Sequence, residues 1–287
     1  MNTIDYKRIV WLASYPKSGN TWFRAFLANL LRNSNTPADI NELEGGPIAS
    51  SRQLFDEATG LSSADMIPDE IEKLRPLVYE YIAQQSEDVV FHKIHDAYTS
   101  TPDGKPLVPE SATKAVIYFV RNPLDVAVSF AHHSNLGFDV IVKAMNTNEY
   151  AFCNKPSKLH MQLTQRLLTW SNHIISWVDN SNLPLIVIRY EDMKLAPFET
   201  FSKAIQFCGL NFNDSQIREA IAKSDFNELM KQEKEKGFRE KSPESESFFR
   251  KGKIGSWKEE LSAELVEIII KNHFEMMGRF GYLPESK

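Results

Sequence analysis

The strongest constraint on this chain lies near its start. Arg8-Ile-Val-Trp-Leu-Ala-Ser14 is strand-length and apolar on both faces, the pattern of a strand buried in a parallel sheet. It breaks at Tyr15-Pro-Lys-Ser-Gly-Asn-Thr21, after which Trp22–Arg32 reads as a helix with apolar residues on most faces. A strand, a tight turn and a helix N-terminus together make an anion cradle. Backbone N–H groups in the turn and the helix dipole both favour a phosphate there. Lys17 adds a point charge, and Ser18 and Thr21 add hydroxyl donors. The turn is not G-x-x-x-x-G-K-[ST], because Lys precedes Gly and the first Gly is missing. Taken alone, it is equally an ordinary strand-to-helix turn whose lysine points to solvent.

The same alternation continues down the chain. Asp88–Ile94, Lys114–Val120 and Pro184–Tyr190 read as strands. Leu124–His133, Leu159–Asp179, segments opening at Pro197 and Asp214, and Leu261–Gly278 read as helices. Residues 33–70 read as loops and short helices, and 231–247 as a solvated face followed by a mobile loop. The expected fold is α/β: a single doubly wound domain over residues 1–287, with a central parallel sheet flanked by helices. Composition removes other classes. With 42% hydrophobic and 25% charged residues, the chain is neither disordered nor fibrous. Its 2 cysteines rule out a disulfide scaffold and a four-Cys zinc site. No apolar run approaches the roughly 18 residues that span a bilayer. The expectation is a cytoplasmic protein with no membrane partner. A net charge of -5 argues against nucleic acid as a partner.

Two further segments carry chemistry. Val120-Arg-Asn-Pro-Leu-Asp-Val-Ala-Val-Ser129 sits where a strand ends and a helix begins, the edge at which open parallel sheets bind ligands. Arg121 offers a planar fork of donors suited to a terminal phosphate, and Ser129 lies within the following helix. Alone, pairing of Arg121 with Asp125 is the simpler reading. Phe248-Phe-Arg-Lys-Gly-Lys-Ile-Gly-Ser-Trp-Lys258 is a basic, glycine-containing loop in an otherwise acidic C-terminal third. It is able to close backbone and charge around an anion. Its aromatics either stack on a base or anchor the loop.

In this order and setting, the three segments resemble the cytosolic sulfotransferase family. Its members move a sulfuryl group from 3′-phosphoadenosine 5′-phosphosulfate (PAPS) and share a P-loop NTPase-like sulfotransferase fold. Tyr15-Pro-Lys-Ser-Gly-x-Thr-Trp22 is similar to the family's 5′-phosphosulfate loop, Arg121-Asn-x-x-Asp-Val-Ala-Val-Ser129 to its 3′-phosphate element, and Arg250-Lys-Gly-x-x-Gly-x-Trp-Lys258 to its closing loop. Tyr190-Glu-Asp-Met-Lys194 and Ser224-Asp-Phe226 are smaller matches. The resemblance implies that Lys17 and the backbone of Ser18, Gly19, Asn20 and Thr21 hold the 5′-phosphosulfate. It implies Trp22, Tyr190, Ser224, Phe226 and Phe248 around the adenine. Arg121, Ser129, Arg250, Lys251 and the Gly252 amide would hold the 3′-phosphate. The family's catalytic base, the His of a Lys-x-His segment, falls on His95, so that His95, Lys17 and Ser129 are the catalytic candidates. Two departures stand out: Asp96-Ala97 replace Leu-Pro after the histidine, and Ser256 stands where Asp is common. The family's dimer signature is matched in part by Lys258, Ser262, Ala263 and Glu267, which implies a homodimer through 258–267.

His95 follows a buried strand and lies between the two phosphate motifs. Imidazole with an ordinary pKa of about 6.5 accepts a proton from an attacking hydroxyl. Strand alternation puts His92 on the opposite face. His132 and His133 follow Ser129 on the helix and either face the acceptor pocket or are structural, with no role assigned, and His160, His173 and His273 read as helix-surface residues. The implied reaction is in-line transfer to a hydroxyl of a small-molecule acceptor, leaving adenosine 3′,5′-bisphosphate (PAP) and needing no metal. Lys17 and backbone donors would meet the charge on the bridging oxygen, at about 3–4 kcal/mol each. Two rivals are a P-loop-like kinase or NTPase, and a catalytically inactive nucleotide-binding protein. The acceptor is not legible. Phe130, Phe138, Tyr150, Phe152 and Phe238 either line its pocket or belong to the core.

Overall fold

In a computed structural model that describes residues 7–155 and 157–284, every pairing within the central sheet is parallel. Its four strands are β1 (Ile9–Ser14), β2 (Val90–Ile94), β3 (Thr113–Val120) and, after a short antiparallel pair β4 (Ala151–Phe152) and β5 (Gln165–Arg166), β6 (Leu185–Arg189). The order is β2-β1-β3-β6. Both faces are covered, and the strand sequences show why. Ile9, Trp11 and Ala13 join Val116, Tyr118 and Val120 in one apolar cluster, while Val10 and Leu12 join Ala115, Ile117 and Phe119 in the other. With alternate residues buried on opposite faces, the strands must be apolar throughout.

Helices supply the cover: α1 (Asn20–Arg32), α2 (Arg52–Thr59), α3 (Pro68–Gln85), α4 (Pro123–Ser134), α5 (Phe138–Met145) and α6 (Trp170–Val178). The second half adds α7 (Tyr190–Leu195), α8 (Pro197–Phe207), α9 (Asp214–Lys223), α10 (Phe226–Lys236), α11 (Trp257–Glu260) and α12 (Ala263–Arg279). Because the four strands run the same way, their C-terminal ends deliver residues 15–19, His95, Arg121 and Tyr190 to one edge of the sheet. The chain crosses to opposite sides of β1 to form β2 and β3. The edge between β1 and β3 is therefore a switch point, the usual ligand crevice of such sheets.

Some sequence expectations need correction. Of the segment 159–179, only Trp170–Val178 is helical. Leu163, Gln165 and Leu167 are buried at alternate positions, which is the period of extended chain. Thr169 then caps α6, its hydroxyl oxygen accepting from Asn172 N at 3.0 Å. His173 and His273 are not on the surface: they are 0% and 2% exposed. His173 lies between the Tyr118 hydroxyl (2.8 Å) and the carbonyl of His95 (3.0 Å). His160 belongs to a loop and no helix. Asp96, the departure after His95, forms a buried two-pronged ion pair with Arg75 of α3, both contacts at 2.8 Å.

Candidate functional site

A cleft of about 570 Å³ opens at the shared C-terminal edge of the strands. The turn after β1 forms one wall. Lys17 and Gly19 both take positive φ, +68° and +100°, which folds the backbone back toward the start of α1. Asn20 fastens that fold by donating from Nδ2 to the carbonyl of Leu12 at 2.7 Å. A Cβ on Gly19 would stand 2.7 Å from the Tyr190 ring, so the turn and α7 meet as closely as a glycine permits. Inside the turn, the Ser18 hydroxyl is buried without a partner.

Arg121 joins this wall from the end of β3. Its guanidinium donates to the carbonyls of Lys17 and Lys253, each at 3.2 Å, and lies 4.2 Å over the Tyr190 ring. Its Nε has no partner. The local pairing of Arg121 with Asp125 is not made. Asp125 instead accepts from the N–H of Gly255 (2.7 Å) and of Trp257 (3.2 Å), tying the basic segment to α4. Ser129, on the same helix, lines the cleft.

The opposite wall is the segment 248–256. Glu233 of α10 accepts from the N–H of Phe248 at 2.6 Å and of Phe249 at 2.9 Å, which sets where the segment turns in. Gly252, at φ +57°, rests on the Phe226 ring so tightly that a Cβ would meet it at 2.6 Å. Lys17 Nζ sits 3.9 Å over the face of Phe248. Trp22 donates to the carbonyl of Ser224 at 3.0 Å and stands edge-on to Tyr190. Ser224 itself does not line the cleft, because its hydroxyl turns back to Ile221 at 3.1 Å. Arg250 and Lys251 line the cleft and are gripped by Glu260 of α11, at 3.0 and 2.8 Å. His132 completes that group at 2.6 Å from Glu260, away from the cleft.

His95 lies just beyond β2. Its Nδ1 is 2.8 Å from the carbonyl of Ser14 and 3.3 Å from that residue's hydroxyl. A carbonyl only accepts, so Nδ1 carries the proton and Nε2 is left as the acceptor. Burial, then the Lys93 ammonium, holds the imidazole well below its ordinary pKa of 6.5. Burial, then Lys93 and Arg121, brings Lys17 down to about 7. The cleft thus holds a neutral base and a lysine whose charged form an arriving anion would favour.

Among the lining residues to which sequence reasoning gave no role are Arg24, Lys93, His133 and Glu240. Glu240 bridges Arg24 (2.7 Å) and Lys93 (2.8 Å). The stretch 231–247 is therefore not a plain solvated face and mobile loop: α10 runs to Lys236, Phe238 is 7% exposed, and Glu240 turns inward. Burial pushes the Glu240 carboxyl up, but Lys93 and Arg24 outweigh it and hold the group far below 4.5. His133 follows Ser129 by four residues, one turn along α4, and meets Phe248 edge-on. Burial, then Lys17 and Lys93, lowers it to about 3. The signal for Lys93 was its place two residues before His95. Nothing local distinguished Glu240 from its exposed neighbours.

Comparison with known proteins agrees with this geometry. The model of the sulfotransferase domain family matches residues 7–281. Flavonol 3-sulfotransferase of Flaveria bidentis is 27% identical over 286 residues, covering 95% of this chain and 82% of that protein. Sulfotransferase 1B1 of Canis lupus familiaris is 28% identical over 282 residues, covering 93% and 83%. Among solved structures, mouse sulfotransferase SULT7A1 complexed with PAP shares the fold at a TM-score of 0.54 and 20% identity, over 95% of this chain and 85% of that one. Retinol dehydratase in a complex with retinol and PAP does so at 0.60 and 18%, over 94% and 81%. The chain belongs to the sulfotransferase domain family. It is a PAPS-dependent sulfotransferase acting on a small-molecule acceptor. Among the described residues no helix is long and apolar enough to cross a membrane, and no group of three or more His, Cys, Asp or Glu side chains is arranged to hold a metal ion.

Proposed function

We propose that the cleft holds PAPS across the two phosphate walls and that His95 is the general base for an acceptor hydroxyl. The carrying observation is a neutral histidine whose Nδ1 is fixed on Ser14, in a cleft walled by the positive-φ turn of Lys17 and Gly19, by Arg121 and by the basic segment Arg250-Lys-Gly252. Lys17 and the N–H groups of Ser18, Gly19, Asn20 and Thr21 hold the 5′-phosphosulfate. Arg121, Ser129, Arg250, Lys251 and the Gly252 N–H hold the 3′-phosphate. Trp22, Tyr190, Phe226 and Phe248 flank the adenine, and Ser224 acts by fixing Trp22.

The bound donor supplies the sulfuryl group. His95 Nε2 accepts the proton of the acceptor hydroxyl as its oxygen attacks, and Lys17 with the turn N–H groups meets the negative charge that develops opposite. Ser14 keeps the imidazole in the one tautomer that can do this. A flavonol hydroxyl, for which two plant relatives are named, is the first acceptor to assay.

Calorimetric titration with PAP tests the donor half. Wild type binds, while Lys17→Ala and Arg121→Ala each lose about tenfold or more, the size of one charge-assisted contact. Stabilisation by Mg²⁺-ATP but not by PAP would instead support a nucleotide-triphosphate enzyme. We further read the chain as a single-domain cytoplasmic enzyme, with no nucleic-acid or membrane partner, that pairs with itself through 258–267. Light scattering on the purified protein gives its mass, and a monomer removes the pairing.

A further inference from the structure

Residues 237–247 carry mixed charges, and apart from Phe238 their pattern reads as a solvated loop. Glu240 departs from that pattern. Its two carboxylate oxygens are taken separately, one by Arg24 Nη1 at 2.7 Å and one by Lys93 Nζ at 2.8 Å. Arg24 is 3% exposed and spends its Nε on the carbonyl of Glu44 at 2.6 Å; Lys93 is 14% exposed. Glu240, Arg24 and Lys93 all line the same cleft as His95, and Lys93 stands two residues before it.

Lys93 and Arg24 therefore share one carboxylate, itself 30% exposed, which offsets one of their two charges. An incoming anionic acceptor would have to settle near Glu240, and a cationic one near Lys93 and Arg24. Glu240 repels the anion and already occupies the two cations it would pair with, a disadvantage that counts in a partly buried site. A neutral hydroxyl compound carries no such penalty.

We propose that Glu240 sets the charge selectivity of the acceptor end of the cleft: by occupying Lys93 and Arg24 beside His95, it disfavours carboxylate-bearing hydroxyl compounds relative to neutral ones of the same size. The inference rests on His95 being the base. Charge at Glu240 also reaches across the whole cleft. Beyond the effect of burial, the Glu240 carboxylate raises and Lys93 lowers the pKa values of His95, Lys17 and His133 alike.

The test uses three phenols of similar size: 4-ethylphenol, 3-(4-hydroxyphenyl)propionate and tyramine, which are neutral, anionic and cationic. Binding to the PAP-loaded protein is measured calorimetrically, and transfer from PAPS to each is measured as kcat/KM. The wild-type carboxylate-to-neutral and ammonium-to-neutral ratios are the reference, and loss of a unit charge from a partly buried site changes such a ratio by about tenfold. Glu240→Gln raises the carboxylate-to-neutral ratio about tenfold and lowers the ammonium-to-neutral ratio, while Glu240→Asp keeps the wild-type order. Taking ratios within one variant cancels any general loss of fold. Unchanged ratios in Glu240→Gln overturn the proposal, as does a carboxylate-to-neutral ratio that falls in that variant, or a wild type that binds none of the three. Absence of PAP binding to wild type overturns the underlying site reading as well.

Discussion

Gly19 is where the donor turn and the aromatic wall are most tightly fitted, and Gly19→Ala probes that fit. Two separate penalties arise. A side chain at φ +100° is strained for any L-residue, by about 1–2 kcal/mol or more. The new Cβ also stands 2.7 Å from Tyr190 Cδ2, so the ring must retreat by about 0.7 Å to reach the 3.4 Å where ordinary contact begins. Tyr190 is only 6% exposed and is wedged between Trp22 and Arg121, so retreat means overpacking worth about 1–3 kcal/mol. Gly60→Ala is the matched control: φ is +68°, and nothing lies within 4 Å of its Cβ. It carries the strain without the clash. Urea unfolding should therefore show Gly19→Ala less stable than Gly60→Ala by about 1–3 kcal/mol. Moving Tyr190 also moves the surface on which the Arg121 guanidinium rests, so PAP affinity should fall about tenfold or more in Gly19→Ala and stay at the wild-type value in Gly60→Ala. Equal stability and equal PAP affinity in the two variants would refute the reasoning.

Other outcomes follow from the same geometry. Because Lys17 sits at about 7 in the free protein and an anion favours its charged form, PAP affinity should weaken as pH rises through 7, with proton uptake on binding at pH 8. Lys17→Arg should remove this contribution, and calorimetry in buffers of different ionisation enthalpy reads both. His95 is held well below 6.5, so kcat should show no loss of base at pH 6.5; a sharp fall in kcat centred there would count against His95 as the neutral base. Arg75→Leu strands the Asp96 carboxylate inside the protein, and urea unfolding should report a loss of about 3–5 kcal/mol, much of it recovered in Arg75→Leu/Asp96→Leu.

The sheet and the donor turn were legible because their signals are local. Strands apolar on both faces, as in Ile9–Ser14 and Thr113–Val120, have few alternatives to a buried parallel sheet, and Pro, Lys and Gly mark the break after the first. The resemblance drew the distant segments together: nothing in spacing alone places Gly252 against Phe226 or Lys17 over Phe248. The failures were of two kinds. Leu163, Gln165 and Leu167 have the burial period of extended chain, but among mixed neighbours the stretch reads as helix. The charges of His273 and Glu240 suggested solvent, whereas packing decided otherwise. His273 is covered by Trp170 and reaches Ser171, and Glu240 is drawn inward by two cations from elements more than 140 positions away. Such long-range pairing has no signature in the surrounding sequence.

The most direct test of the central claim is sulfuryl transfer from PAPS to a panel of phenols and alcohols by wild type, Lys17→Ala and His95→Ala, with PAP affinity measured alongside. Transfer by wild type is expected, with kcat reduced by about 10²–10⁴ in His95→Ala while that variant binds PAP as wild type does, and with both transfer and PAP binding reduced in Lys17→Ala. Equal transfer rates in all three proteins would contradict it.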